Sequence, residues 1–556
     1  MRYKAVEPEE TISHALNVLH SVGLDVQLTE HSAGGVYSCE VSFAPPFNLL
    51  PISTSGKGRS VAYARASGLA ELLERIQCGI LFENAFDFVR STLPTDHPHA
   101  RNHDYIYKDA DELVCSLGDD LQSLCGAADK QELRRRLLSF SNGQPLACES
   151  YEDVFTGQSI LIPTKFITRY TTSNGMCAGN TDAEAESQGL CELMERYALR
   201  ELYFREITPP LIAWEHFSAL EDGDALVKKL QRTSRLLGVQ FAAYDLSLQQ
   251  SLPVVMLLCL VPGQGQYAFK LGCDLSPVVA LERCFTELMQ GGEQNFAKRL
   301  CSVSQSLDFT SEKDRQISHY LSWRSGQGPL PAKVLQNLFA HPSYDFKGFH
   351  SARAASDLDD LTALRNIVKA NHASLWRKNR GYLGFPTWHT IIPQWSLLDL
   401  TSESRAAHYD QLFLQKETLW HACDMDPSRL QIALNTMCEL QSDFAPRLQL
   451  DLHHALFSWS PTDPQNLALK LALKLGDSTR ANDLLRSMLP SLEVQALRSE
   501  IMLGHHTAAK CFSDSTLALA HAAFGGDLQK PDLSAFDALY QLMLTLDARR
   551  ESFQPA

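Results

Sequence analysis

Glutamates three residues apart, repeated at two places, are the side chains in this sequence best spaced to do chemistry. Ser67–Arg75 reads Ser-Gly-Leu-Ala-Glu-Leu-Leu-Glu-Arg, and Gln188–Arg196 reads Gln-Gly-Leu-Cys-Glu-Leu-Met-Glu-Arg. On a helical wheel Ser67, Glu71 and Glu74 fall within about 60°, and Asn180, Glu184, Gln188, Glu192 and Glu195 within roughly 120°. Like charges at this spacing repel by about 0.2–0.5 kcal/mol. Repeating that cost at matching positions points to a bound cation that removes it, and several hard carboxylate oxygens suit Mg2+ better than zinc or copper. Glutamate opposite leucine is also the pattern of any solvated helix, and Arg75 or Arg196 could simply pair with its neighbours. Two near-copies behind glycine-containing loops favour the chemical reading.

The elements that must position these groups are amphipathic helices entered from loops. Leu69, Leu72, Leu73, Ile76 and Ile80 oppose the first carboxylate face, and Leu190, Leu193, Met194 and Tyr197 oppose the second, so each helix packs an apolar stripe on a core. Ser55-Gly56-Lys57-Gly58 precedes the first helix and Ser173–Asn180 the second. The Gly56-Lys57-Gly58 triplet, read as a turn, would let backbone N–H groups approach a phosphate with Lys57 as a point charge; the Walker A pattern is absent. Asn180 could equally cap the helix that follows. A third relative, Ala280–Gly292, contains Arg283 and Glu287. His389, His453, His454, His505 and His506 lack triad or metal spacing, and no nucleophile elbow appears.

Strands are expected around Val36–Val41, Phe47–Ile52, Ser159–Pro163, Phe166–Thr171, Val239–Tyr244, Val254–Val261 and Tyr382–Pro393. Helices are expected over residues 10–24, Glu132–Leu138 and Asp357–Ala370. Residues 84–150 read as an insertion between the repeated units. Beyond about residue 405 the strand signals fade, and helical patterns such as Leu467–Leu475, Ala481–Leu489 and Thr516–Phe524 resemble tetratricopeptide packing without a clean 34-residue consensus. The expected organisation is therefore an α+β domain over residues 1–404 and an all-α domain over 405–556. A net charge of −15 argues against a general nucleic-acid binder. Fourteen scattered cysteines without zinc spacing, no signal-peptide run and no membrane-length apolar stretch point to a cytoplasmic protein.

Taken together, the two Glu-x-x-Glu-Arg helices, Ser173-Asn174-Gly175-Met176-Cys177-Ala178-Gly179-Asn180 and the Ala280–Gly292 segment resemble the YcaO family of ATP-dependent peptide-backbone-modifying enzymes. The resemblance covers roughly residues 1–400. It implies ATP held between the repeated units with Mg2+ on Glu71, Glu74, Glu192 and Glu195. Lys4, Ser67, Asn180, Glu184, Gln188, Arg196, Arg283 and Glu287 would line the nucleotide, and Arg196 or Arg283 would stabilise charge developing in phosphoryl transfer. The implied reaction activates a backbone amide of a peptide or protein through its oxygen. A side-chain nucleophile would then give an azoline, and external sulfide a thioamide. The helical tail resembles the stand-alone branch implicated in ribosomal-protein methylthiolation, and the ending Glu551–Ala556 lacks the proline-rich tail of azoline-forming relatives. A homodimer and a partner protein for substrate recognition or sulfur delivery are further implications. A protein-binding adaptor that keeps a nucleotide site is the alternative outside enzymology.

Overall fold

Hydroxyl caps open the helices that carry the repeated motifs. The N-terminal helix α1 (Pro8–Ser21) is followed by α2 (Val61–Gln77), α3 (Asp182–Phe204), α4 (Pro277–Met289) and α5 (Asp357–Ala370). Tyr63 N–H donates to Ser60 Oγ at 3.3 Å, Glu184 N–H to Thr181 Oγ1 at 3.1 Å, Val279 N–H to Ser276 Oγ at 3.4 Å and Asp359 N–H to Ser356 Oγ at 3.2 Å. Each cap stabilises its helix start by about 1 kcal/mol. These elements belong to a computed structural model that describes residues 4–33, 35–47, 53–81, 105–141, 145–303, 329–338, 341–397 and 536–553, with scattered positions between 427 and 483.

Three antiparallel sheets organise the chain. The first is the meander β1 (Val26–Ala33), β2 (Val36–Phe43), β3 (Ser53–Gly58). A second, six-stranded sheet has the order β4 (Ile106–Lys108), β5 (Leu146–Asp153), β13 (Trp376–Asn379), β14 (Thr387–Ile391), β7 (Met176–Ala178), with β6 (Ser159–Pro163) also on β5. The third runs β12 (Cys301–Ser302), β11 (Gln266–Cys273), β10 (Val254–Val261), β9 (Gln240–Asp245), β8 (Leu211–Ile212). Its β10 is the long apolar run of the sequence, buried on both faces from Val254 to Cys259. Helix α2 packs on β2 and β3, α3 on β7 and β14, and α4 on β10 and β11.

The motif repeat is thus a structural repeat of strand, short connection and helix: β3–α2, β7–α3 and β11–α4. Glycine sets how closely each helix lies on its strand. A Cβ on Gly56 would sit 2.0 Å from Ala64 O and 2.2 Å from Gly68 N. One on Gly189 would meet Cys177 Sγ at 2.7 Å, and one on Gly272 would meet Ala280 O at 2.2 Å. The Gly56-Lys57-Gly58 triplet is therefore the end of a strand pressed against α2, not a turn. Close backbone approach explains its glycines.

The Phe166–Thr171 stretch, read as a strand, is a helix over Thr164–Tyr170. Phe166, Ile167 and Tyr170 bury one face against Phe140, Ile162 and Trp376, and this packing overrides the β-propensity of the branched and aromatic residues. The expected strand Tyr382–Pro393 is confined to Thr387–Ile391, because the preceding chain turns at Gly384 with φ +86°. Most of Phe47–Ile52 lies outside the described residues. Residues 105–150 supply β4, β5 and two helices, Ala110–Cys125 and Lys130–Ser141, that pack on the six-stranded sheet. Most of the expected helical tail falls outside the described residues. Within it Phe536–Glu551 is helical, burying Leu542, Met543 and Leu546 and placing the Arg550 guanidinium 5.0 Å over the Tyr382 ring. Among the described residues no helix is long and apolar enough to cross a membrane.

His389 is not a catalytic candidate but part of a buried polar network on the six-stranded sheet. Its Nδ1 meets Tyr151 Oη at 2.9 Å, and Glu149 takes Arg380 and, at 3.2 Å, Lys378. Burial, with Arg380 adding to it, pushes His389 down to about 3, whereas Glu149 is held at about 2 because Arg380 and Lys378 outweigh its burial. Between pH 6.5 and 3 the unfolded chain therefore binds a proton that folded His389 refuses. Stability falls by about 1.4 kcal/mol per pH unit across that window. The Glu149 contribution holds until the pH drops below about 4.5 and is lost only as it approaches 2. The stability difference between His389→Gln and wild type, from urea unfolding, should accordingly shift in the variant's favour by about 2 kcal/mol between pH 7 and pH 5. A difference that does not change with pH would rule out a neutral buried His389.

Candidate nucleotide and metal site

All twelve residues singled out by the motifs and the resemblance line one cleft of about 350 Å³. Lys4 comes from the segment before α1; Ser67, Glu71 and Glu74 from α2; Asn180 from the β7–α3 connection. Glu184, Gln188, Glu192, Glu195 and Arg196 come from α3, and Arg283 and Glu287 from α4. The residues contributed by each helix share one face, as the wheel angles require.

One end of the cleft is a hydrogen-bonded polar group. Glu184 takes Lys4 Nζ at 3.2 Å, the Ala5 N–H at 2.9 Å and Asn180 Nδ2 at 3.2 Å. Thr11 Oγ1 donates to Asn180 Oδ1 at 2.7 Å, and Gln188 Nε2 to Ala178 O at 3.1 Å. Burial alone would raise Glu184, but Lys4 and these donors hold it below the usual carboxylate range. The first residues of the chain are thereby tied to the start of α3.

The middle of the cleft is crowded with acid. Burial, followed by repulsion from Glu192 and Glu71, pushes Glu74 well above the usual carboxylate range despite Arg75. Glu192 is raised by burial and by Glu71, with Arg196 and Arg75 opposing. Arg75 reaches Glu71 at 3.5 Å and Glu74 at 3.7 Å, both too long to neutralise either carboxylate fully. At the far end burial and Glu287 raise Glu195, while Lys57, Lys270 and Arg283 outweigh burial and hold Glu287 low.

Among the described residues no three metal-ligating side chains come together tightly enough to hold an ion by themselves. Mg2+ commonly keeps one or two carboxylates and takes its remaining ligands from water and phosphate oxygens. The donors are all hard oxygens, and their mutual repulsion is what a divalent cation would relieve. The residues fit the group.

Several residues at or behind the cleft wall carry no signal in the sequence. Lys270, 7% exposed on β11 and acting on Glu287 from behind the lining, reads there as one polar residue in an apolar strand. Asp274 takes Arg353 Nε at 2.8 Å and Nη2 at 2.6 Å, and its Oδ1 also accepts the Ser276 N–H at 2.8 Å, securing the start of α4. Asp357 and Asp360 line the wall at the start of α5. The Asp274–Arg353 pairing spans 79 positions and has no local pattern.

A protein-family profile described as YcaO cyclodehydratase, ATP- and Mg2+-binding, matches residues 55–396, more than half of the chain. The chain belongs to the YcaO family. ATP and Mg2+ are that family's cofactors. Among curated relatives, an uncharacterized protein of Haemophilus influenzae is 27% identical over 61% of this chain and 56% of its own length. The ribosomal protein S12 methylthiotransferase accessory factor YcaO of Escherichia coli is 31% identical over 43% of this chain and 40% of its own length. The chain thus spans about half the length of the curated relatives it matches. Similar solved structures include a heterocyclase in complex with substrate and cofactor, at 17% identity and a TM-score of 0.48, covering 70% of this chain and 53% of that one. YcaO from Methanopyrus kandleri bound with AMPPCP and Mg2+ gives 15% identity and a TM-score of 0.41, covering 70% of this chain and 91% of that one.

Proposed function

We propose that this chain binds ATP with Mg2+ in the cleft and activates a backbone amide of a peptide or protein through its oxygen. The supporting observation is the gathering of carboxylates and cations from α2, α3 and α4 around one cavity. Lys4, Ser67, Asn180, Glu184 and Gln188 would hold the nucleoside part. Glu71, Glu74, Glu192 and Glu195 would hold the metal ions. ATP, when bound, supplies the phosphoryl group that turns the amide oxygen into a group that can leave. Arg196 and Arg283 would stabilise charge developing on the transferred group, and Glu287 would keep Arg283 and the lysines beside it in place. Half-burial of these groups strengthens each of those interactions relative to water.

The E. coli relative's description as an accessory factor of a ribosomal-protein methylthiotransferase supports the same role here. A cytoplasmic homodimer, with the residues after 405 as a tetratricopeptide-like module for a partner, completes this reading. Azoline or thioamide formation in peptide natural-product assembly is the second reading, favoured by the family's description as cyclodehydratases. Calorimetric titration with Mg·ATP, then incubation with candidate proteins and peptides and mass spectrometry, tests both. Substrate-stimulated ATP hydrolysis with a modified ribosomal protein supports the first reading. Loss of one water from a peptide, or replacement of oxygen by sulfur, supports the second. No heat of Mg·ATP binding would reject the assignment of the cleft.

A further inference from the structure

Lys57 lies outside the residue set that the family resemblance assigns, yet the structure gives it a distinctive position. It ends β3, lines the cleft and donates from Nζ to Glu287 on α4. Its side chain keeps 28% of its surface exposed, so the ammonium has room to move within the cavity. Its backbone has none, because Gly56 and Gly58 press on α2 on either side of it. Only the flexible four-carbon stem can respond to a ligand.

Lys57 is the first of several cations acting on Glu287, with Lys270 and Arg283 beside it. The docking of α4 against the first sheet has other ties besides Lys57. Gln290 Nε2 donates to Ser55 Oγ at 3.0 Å and the Gly291 N–H to Ser38 Oγ at 3.0 Å, two uncharged ties across the same boundary. Lys57, Lys270 and Arg283 act on Glu287, and Arg196, Arg283 and Lys57 on Glu195, while Arg196 and Arg283 also face Glu192 and Asp274 faces Arg283. Lys57 brings the β3 cation into that mixed group, inside the cleft.

We propose that Lys57 reads the terminal phosphate of the nucleotide, with Glu287 and that phosphate as alternative partners for its ammonium. The proposal rests on the reading of the cleft as an ATP and Mg2+ site. It makes the Lys57 contribution depend on phosphate number, which a tie between β3 and α4 would not. Calorimetric affinities for Mg·ATP and Mg·ADP are to be compared in wild type, Lys57→Gln and Lys57→Arg, with circular dichroism melting as the check on folding. K57Q should lose about tenfold or more for ATP while ADP changes less than about threefold, and K57R should recover most of the ATP affinity. Equal factors for the two nucleotides, a larger loss for ADP, or no loss would overturn the proposal and leave the cleft assignment standing. Failure of the wild-type chain to bind ATP would overturn both.

Discussion

Replacing Glu71 and Glu192 together by glutamine should weaken Mg·ATP binding by at least about a hundredfold, through loss of two charges that attract the cation. The substitution keeps the shape of both side chains and leaves the apolar faces of α2 and α3 intact, with Leu69, Leu72, Leu190 and Leu193 all fully buried. The sign should reverse when the metal is chelated. Two fewer negative charges then face an anionic triphosphate, so the variant should bind free ATP at least as well as wild type. A misfolded protein would lose both affinities. Calorimetry with and without EDTA reads the difference, and a variant that still binds Mg·ATP as wild type does would remove these glutamates from the metal site.

The other large effect concerns packing. Gly56→Ala should cost about 3 kcal/mol or more, because its Cβ would overlap Ala64 O and Gly68 N, both backbone atoms of α2. The strand and the helix would have to separate, moving Lys57 and Ser67 with them. Gly157→Ala serves as the comparison: φ is +70° there but nothing lies within 4 Å, so the cost is only that of a left-handed alanine, about 1 kcal/mol. Thermal melting should therefore drop far more for G56A than for G157A. Equal drops would show that the close approach of β3 and α2 is not what fixes that glycine.

How much of this was readable in advance differs from residue to residue. Carboxylates at i and i+3 opposite an apolar stripe predict a helix and a shared acidic face, so Glu71 with Glu74 and Glu192 with Glu195 could be placed on common faces before any coordinates, though not into one cleft. Asn180, read as a cap, gives way to its neighbour Thr181, because the Asn180 side chain is taken up by Thr11 and Glu184. Lys270 and Arg353 could not be found that way, because the charge Lys270 exerts on Glu287 and the pairing of Arg353 with Asp274 exist only in the tertiary fold. Gly56 and Gly58 were legible as special but not as strand: the sequence shows the missing side chain, not the helix that fills its space. Phe166–Tyr170 failed for the opposite reason. Its residues favour a strand, and the surrounding core selects the helix.

The repulsion among the half-buried acids has an evolutionary consequence. On the proposed reading of the cleft, a protein without its ligand tolerates those neighbours only because other regions hold the fold together, and the site is a weak point kept for the loaded form. Selection for heat resistance alone would be expected to erode these glutamates first. Neutral replacements there should raise the melting temperature of the empty chain while abolishing what the chain is for.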